Sequence, residues 1–159
     1  MTTGSPTLDR LEIVDMADFD VAFIPVEVEA ARIRDIMGPT LAELRVAVAA
    51  QGLAADGPWL THHWRWPDEK FLFDLCLPTQ RPIAAAGRVR PGVISAARIA
   101  RGQYVGDYSG LPGAWTAFSN WVAAQGVKTR ADFWETYLCG PDSGLPPQDW
   151  RTELAQPLD

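Results

Sequence analysis

The sequence predicts an α+β domain built twice from a strand-helix-strand-strand unit, giving a curved antiparallel sheet with two helices on one side and a ligand trough at a pseudo-twofold seam. Three observations predict it. Ala49-Ala50-Gln51-Gly52 returns 74 residues later as Ala123-Ala124-Gln125-Gly126, each copy closing a segment with helical spacing. Runs rich in aromatic and β-branched residues flank both segments at matching distances. Finally, 159 residues with 47% hydrophobic content suffice for one substantial core, so a single domain is expected.

The elements follow in order. Residues 1–20, with Asp9, Glu12, Asp15, Asp18 and Asp20, read as a tail or short edge element, and residues 21–159 as the domain. Its first half spans about 21–78, its connection about 79–91 and its second half about 92–158. A strand over 26–36 leads to Gly38-Pro39-Thr40, after which Leu41, Leu44 and Val48 recur at helical spacing. Thr40 and Glu43 have capping-box spacing, and Gly52 suits the left-handed residue after a helix. Strands over 59–66 and 70–77 follow, parted by a turn at Pro67-Asp68. Arg81, Arg88 and Arg90 lie in the connection, read as a solvated linker. In the second half a strand over 92–108 precedes Gly110-Leu111-Pro112 and a helix carrying Trp115, Phe118, Trp121 and Val122, with Gly126 as its stop. Strands over 133–139 and 150–157 complete the chain. One three-stranded sheet with a single helix cannot cover both its faces, so the two units must pair. With the helices on one side, the trough is expected on the other.

Composition excludes several functions. A net charge of −6 and a sequence pI near 4.8 give no attraction to phosphate backbones, and no helix-turn-helix segment is visible, so direct nucleic-acid binding is not expected. The longest apolar stretches, 46–50 and 83–86, fall far short of the roughly 20 residues that cross a bilayer. The first residues lack the basic start and apolar run of a secretory signal, which predicts a cytoplasmic location and, in its reducing environment, free thiols at Cys76 and Cys139. His62 and His63 are adjacent on a strand and point to opposite faces, so no metal site is expected. Neither a phosphate-cradling loop nor a Gly-x-Ser-x-Gly turn is present, and no cofactor is expected. The oligomeric state, monomer or homodimer, stays open.

Seven tryptophans in this length exceed what a generic core requires and supply flat surfaces for stacking. The residue that stands out is Glu135, in Phe133-Trp134-Glu135-Thr136-Tyr137, a strand run with no other charge. Alternation puts Phe133, Glu135 and Tyr137 on one face and Trp134, Thr136 and Leu138 on the other, which is expected to pack on a helix. Two readings exist: a surface carboxylate on a solvent face, or a partly buried carboxylate walled by rings. An exposed face bearing Phe133 and Tyr137 would be an apolar patch without purpose, which favours the second. Such a carboxylate is costly to desolvate when ionised, and a cationic aromatic ligand offsets that cost while stacking on the rings. At the repeat offset Thr61 and His63 correspond to Glu135 and Tyr137. His63 is thus either a pocket residue or a hydrogen-bonded structural histidine, and Trp59 shares its face. Asp74 projects into the trough or into water, and Glu153 with Arg151 reads as an ion pair or a solvent contact.

The order Gln103-Tyr104, Gly110-Leu111, a Trp-bearing helix ending in Gln125-Gly126, Trp134-Glu135-Thr136-Tyr137, Trp150-Arg151-Thr152-Glu153-Leu154 and Pro157-Leu158 resembles the GyrI-like small-molecule-binding domain. That domain also serves as the effector-binding part of some bacterial transcription activators. The resemblance covers about residues 21–158. It implies a pocket between the halves in which the Glu matching Glu135 meets cationic or polyaromatic drugs, with Tyr137 and Trp150 on positions that tend to be aromatic. It also implies an alternative, because some stand-alone members are hydrolases that open the strained cyclopropane of DNA-alkylating natural products, with the same Glu activating water. The chain departs from the family at Gly106-Asp107-Tyr108-Ser109-Gly110, which leaves the role of Tyr108 open. Three functions are therefore carried forward. The first is stand-alone binding of aromatic or cationic small molecules for sensing, sequestration or detoxification, in a pocket of Trp59, His63, Tyr108, Phe133, Glu135, Tyr137 and Trp150. The second is hydrolysis, with Glu135 as general base and Tyr137 or His63 steadying the developing oxyanion. The third is a protein-interaction module that inhibits a DNA-handling enzyme.

Overall fold

A computed structural model describes residues 7–66 and 69–159, so the turn expected at Pro67-Asp68 lies outside the described residues. Along the chain run β1 (Thr7–Met16), β2 (Phe19–Glu29), α1 (Ile33–Ala50), β3 (Trp59–His63), β4 (Lys70–Pro78), β5 (Arg90–Ile94), β6 (Ala97–Val105), α2 (Leu111–Ala124), β7 (Phe133–Cys139) and β8 (Arg151–Pro157). All eight strands pair antiparallel in one sheet, in the order β1-β6-β8-β7-β3-β4-β2-β5.

That order maps onto itself when each strand of one half is exchanged for its counterpart in the other. The fold is the duplicated α+β architecture that the repeat predicts. At the centre Thr61 lies opposite Glu135 in the β3/β7 ladder. These two residues are also separated by the repeat offset, so the pseudo-twofold passes between them.

Each half carries one strand more than its sequence pattern shows, and that strand pairs with the other half: β1 with β6, and β5 with β2. Alternation in β1 is interrupted by a bulge between Asp9 and Glu12, where Arg10 adopts φ 55°, and this hides its period of two. The single strand expected over 92–108 is divided at Ser95-Ala96 into β5 and β6, and the one expected over 26–36 lies earlier, as β2. Although β1 and β5 are opposite edges, Val14 and Met16 of β1 pack in the same apolar cluster as Val21, Leu60, Ile94 and Trp134. The sheet therefore curls until its edges approach on the face away from the helices.

Helix α1 starts at Ile33 rather than near Thr40 and runs through Pro39. Thr40 is consequently a buried interior residue and not a cap. Proline inside a helix removes one hydrogen bond, and the stripe formed by Leu44 and Val48, both fully buried, holds the helix on β2 and β4 nonetheless. In α2, Pro112 sits in the first turn, where a missing N–H costs nothing. Both helices stop at the repeated tetrapeptide, with Gly52 at φ 78° and Gly126 at φ 72°, a conformation open to glycine without strain.

Phe73 packs beneath α1 and Phe133 beneath α2, whereas Trp134, Leu60 and Cys76 fill the reverse face. The face expected to pack on a helix is thus the one away from it. The trough lies between the helices, not on the opposite side, because the curl of the sheet closes the reverse face with apolar side chains.

Candidate functional site

Helices α1 and α2 sit over the outer strands of their own halves and leave the central pair uncovered. The gap is a cavity of about 1500 Å³. Its floor is the upper face of β3 and β7, where alternation presents Trp59, Thr61 and His63 beside Phe133, Glu135 and Tyr137. One wall comes from α1 and β4, with apolar Ile33, Met37, Leu41 and Phe71 beside Arg34 and Arg45. The other comes from α2 and the turn before it, through Trp115 and Tyr108, with Trp150 at the end of the cavity.

Glu135 is held by two neutral donors. The indole Nε1–H of Trp115 donates to Oε1 at 2.6 Å, and the Tyr137 hydroxyl donates to Oε2 at 2.5 Å. With its proton committed, the Tyr137 oxygen accepts from Thr61 Oγ1 at 3.0 Å. Thr61 in turn accepts from His63 Nε2 at 2.9 Å, which fixes the histidine as its Nε2–H tautomer. His63 Nδ1 is buried without a hydrogen-bond partner.

Burial governs the proton affinities here. It raises the Glu135 carboxyl above its ordinary value, and the bonds from Tyr137 and Trp115 oppose that rise. It lifts the Tyr137 phenol well above 10, helped by the adjacent carboxylate, and pushes Tyr108 up to about 12. It lowers His63 to about 4, so the imidazole is neutral at neutral pH.

Rings enclose the carboxylate on both sides. Trp59 packs on Tyr137 with centroids 4.2 Å apart, and Tyr108 meets Tyr137 edge-on at 5.6 Å and lies tilted against Trp150 at 5.1 Å. On the other side Phe133 stacks between His63 at 5.0 Å and Trp66 at 4.4 Å, and Trp66 meets Trp115 edge-on at 5.4 Å. The Gly106–Gly110 segment has a steric reason: the Tyr104 hydroxyl tucks beneath it and donates to the Asp107 carbonyl at 2.8 Å, leaving no room for a side chain at Gly110.

The structure brings Trp59, His63, Tyr108, Phe133, Glu135, Tyr137 and Trp150 to this one cavity. Asp74 projects neither into it nor freely into water; it is half-buried on the reverse face, where it accepts from Trp64 Nε1 at 3.3 Å. His62 also points there and bonds Asp132 at 2.8 Å. Arg151 pairs with Asp9 at 3.2 Å and bonds Gln103, rather than Glu153. Sequence reasoning did not assign Trp66, Thr61 or Trp115 to the pocket. Trp115 stands at the repeat offset from Leu41, but only the structure shows Leu41 on the opposing wall; Trp66 follows the end of β3 and had no signal.

No helix among the described residues is long and apolar enough to cross a membrane. The chain is similar in fold to the C-terminal domain of EcmrR, at 18% identity and TM-score 0.78, covering 94% of this chain and 97% of that one. It is similar to EcmrR in a complex with DNA at 17% identity and TM-score 0.79, with 94% of this chain covered; it spans 57% of that longer chain. A third similar structure, SAV2435 bound to tetraphenylphosphonium, gives 14% identity and TM-score 0.67, covering 94% of each chain. No curated protein sequence matches. Residues 10–159, from the bulge of β1 to the end of the chain, match the GyrI-like small molecule binding domain, and the protein belongs to that family.

Proposed function

We propose that the cavity binds cationic aromatic small molecules for sensing or sequestration, with Glu135 as counter-charge and the surrounding rings as walls. One observation carries this reading: among the described residues, the side-chain donors to the carboxylate at the cavity floor are both neutral, Trp115 and Tyr137. A ligand cation relieves its desolvation, and rings on both sides offer stacking and cation–π contact. The tetraphenylphosphonium bound to SAV2435 is a ligand of this chemistry. Tetraphenylphosphonium titrated against the protein is expected to quench tryptophan emission, and Glu135→Gln to weaken binding on the order of 10- to 100-fold, or about 1.4–2.8 kcal/mol. Equal affinity in the variant overturns the reading.

The raised proton affinity of Glu135 favours water activation as a second reading. Water would add to the strained carbon and pass a proton to Glu135, while the cleaved ring bond's electrons move onto a conjugated carbonyl. The Tyr137 hydroxyl and His63 Nε2–H already donate to other groups, so neither steadies that oxyanion without breaking a bond. A mass gain of one water on a cyclopropane-bearing alkylator, absent with Glu135→Gln, is the result this reading requires.

A further inference from the structure

We propose that His63 and Thr61 are positioning residues: with Tyr137 they form a one-directional donor chain, reaching from the first half across the central ladder, that holds the Glu135 carboxylate ionised and aimed into the cavity. This rests on the reading of Glu135 as the ligand's counter-charge.

With Glu135 ionised, each link takes one polarity. The Tyr137 proton lies toward Glu135 Oε2, so Thr61 must donate to Tyr137, and His63 must donate to Thr61. Three aligned dipoles end on one carboxylate oxygen, and in a site of low polarity each strengthens the next. The ladder fixes the members in place, because Thr61 lies opposite Glu135 and His63 opposite Phe133. Rings clamp the imidazole, with Phe133 stacked at 5.0 Å and 5° and Phe73 at 5.1 Å.

The odd feature of His63 also fits. A histidine serving packing alone has no need of an orphaned ring nitrogen, yet Nδ1 is buried without a partner while Nε2 is engaged with Thr61. Among the described residues, the side-chain hydrogen bond of His63 is the one that starts the chain. Held neutral by burial, it adds no positive charge to compete with a cation. Other ionisable side chains on the cavity wall are Arg34 and Arg45 of α1, Asp56, and Asp107, Tyr108, Cys139 and Asp142 near the far end. The hydrogen bonds to Glu135 come from Trp115 and Tyr137 instead.

The test is tetraphenylphosphonium affinity between pH 4 and 8 in the wild type, Thr61→Val, Thr61→Ser, His63→Phe and Glu135→Gln, with neutral triphenylphosphine oxide as a second probe. Loss of the chain is expected to weaken cation binding at neutral pH roughly two- to tenfold in Thr61→Val and His63→Phe. It should also move the acid-side fall in affinity to higher pH, since a less stabilised carboxylate protonates sooner. Thr61→Ser is expected to match the wild type, and the neutral probe to bind all variants alike. Wild-type affinity and pH profile in both Thr61→Val and His63→Phe, with binding still lost in Glu135→Gln, overturn the positioning role and leave the counter-charge reading standing. Equal weakening of both probes, without rescue by serine, reduces these residues to packing and overturns the proposal. Full cation binding in Glu135→Gln removes its foundation.

Discussion

At Glu135 burial and hydrogen bonding act on the same carboxyl with opposite sign, and burial prevails. A carboxyl whose folded proton affinity exceeds its unfolded one, near 4.5, stabilises the fold fully below that value and loses the contribution as pH rises through the folded value. The ligand-free protein should therefore lose thermal stability relative to Glu135→Gln as pH rises from about 4 toward neutrality, while cation affinity rises over the same interval. Melting temperatures of the two proteins across that range check the sign; a constant difference would show that the carboxyl is not sheltered. Much of this site was legible in the sequence, because strand alternation put Phe133, Glu135 and Tyr137 on one face. Trp115 was not, since a tryptophan on a helical stripe reads as core until its indole N–H is seen to meet Glu135. Thr61 gave no signal of its own, because its role comes from the strand opposite.

Among the elements, both helix ends and the start of α2 were legible, and the start of α1 was not. A glycine after a helix has a local backbone cause, whereas Pro39 misplaces the start of α1 because tertiary packing of Leu44 and Val48 outweighs one lost hydrogen bond. No atom would touch a side chain added at Gly52 or Gly126, so replacement there tests backbone strain alone. Gly52→Ala and Gly126→Ala are each expected to cost about 1 kcal/mol in chemical denaturation, with the cation site unaffected. The strand β1 was legible only as one of two alternatives, a tail or a short edge element, because its bulge and outward acids hide its alternation and its partner β6 lies in the other half.

For the whole molecule, the exchange of first strands means that neither half completes its own sheet. Leu8, Leu11 and Ile13 of β1 pack into the core beneath α2, and β5 borders β2. A chain beginning at Ala17 is expected to lose cooperative unfolding, with far-UV circular dichroism and tryptophan emission no longer changing together; a single sharp transition would show β1 to be dispensable. The side on which the cavity opens was not legible, because alternation tells which residues share a face but not which face the helices take. The Thr61–Glu135 ladder pair has a consequence of its own. Two identical subunits joined by a true twofold must present the same residue on both sides of their axis: paired acids would repel across adjacent strands, and paired threonines would leave the chamber uncharged. Two copies within one polypeptide are free to differ at these two positions, which permits a single negative charge beside the pseudo-twofold.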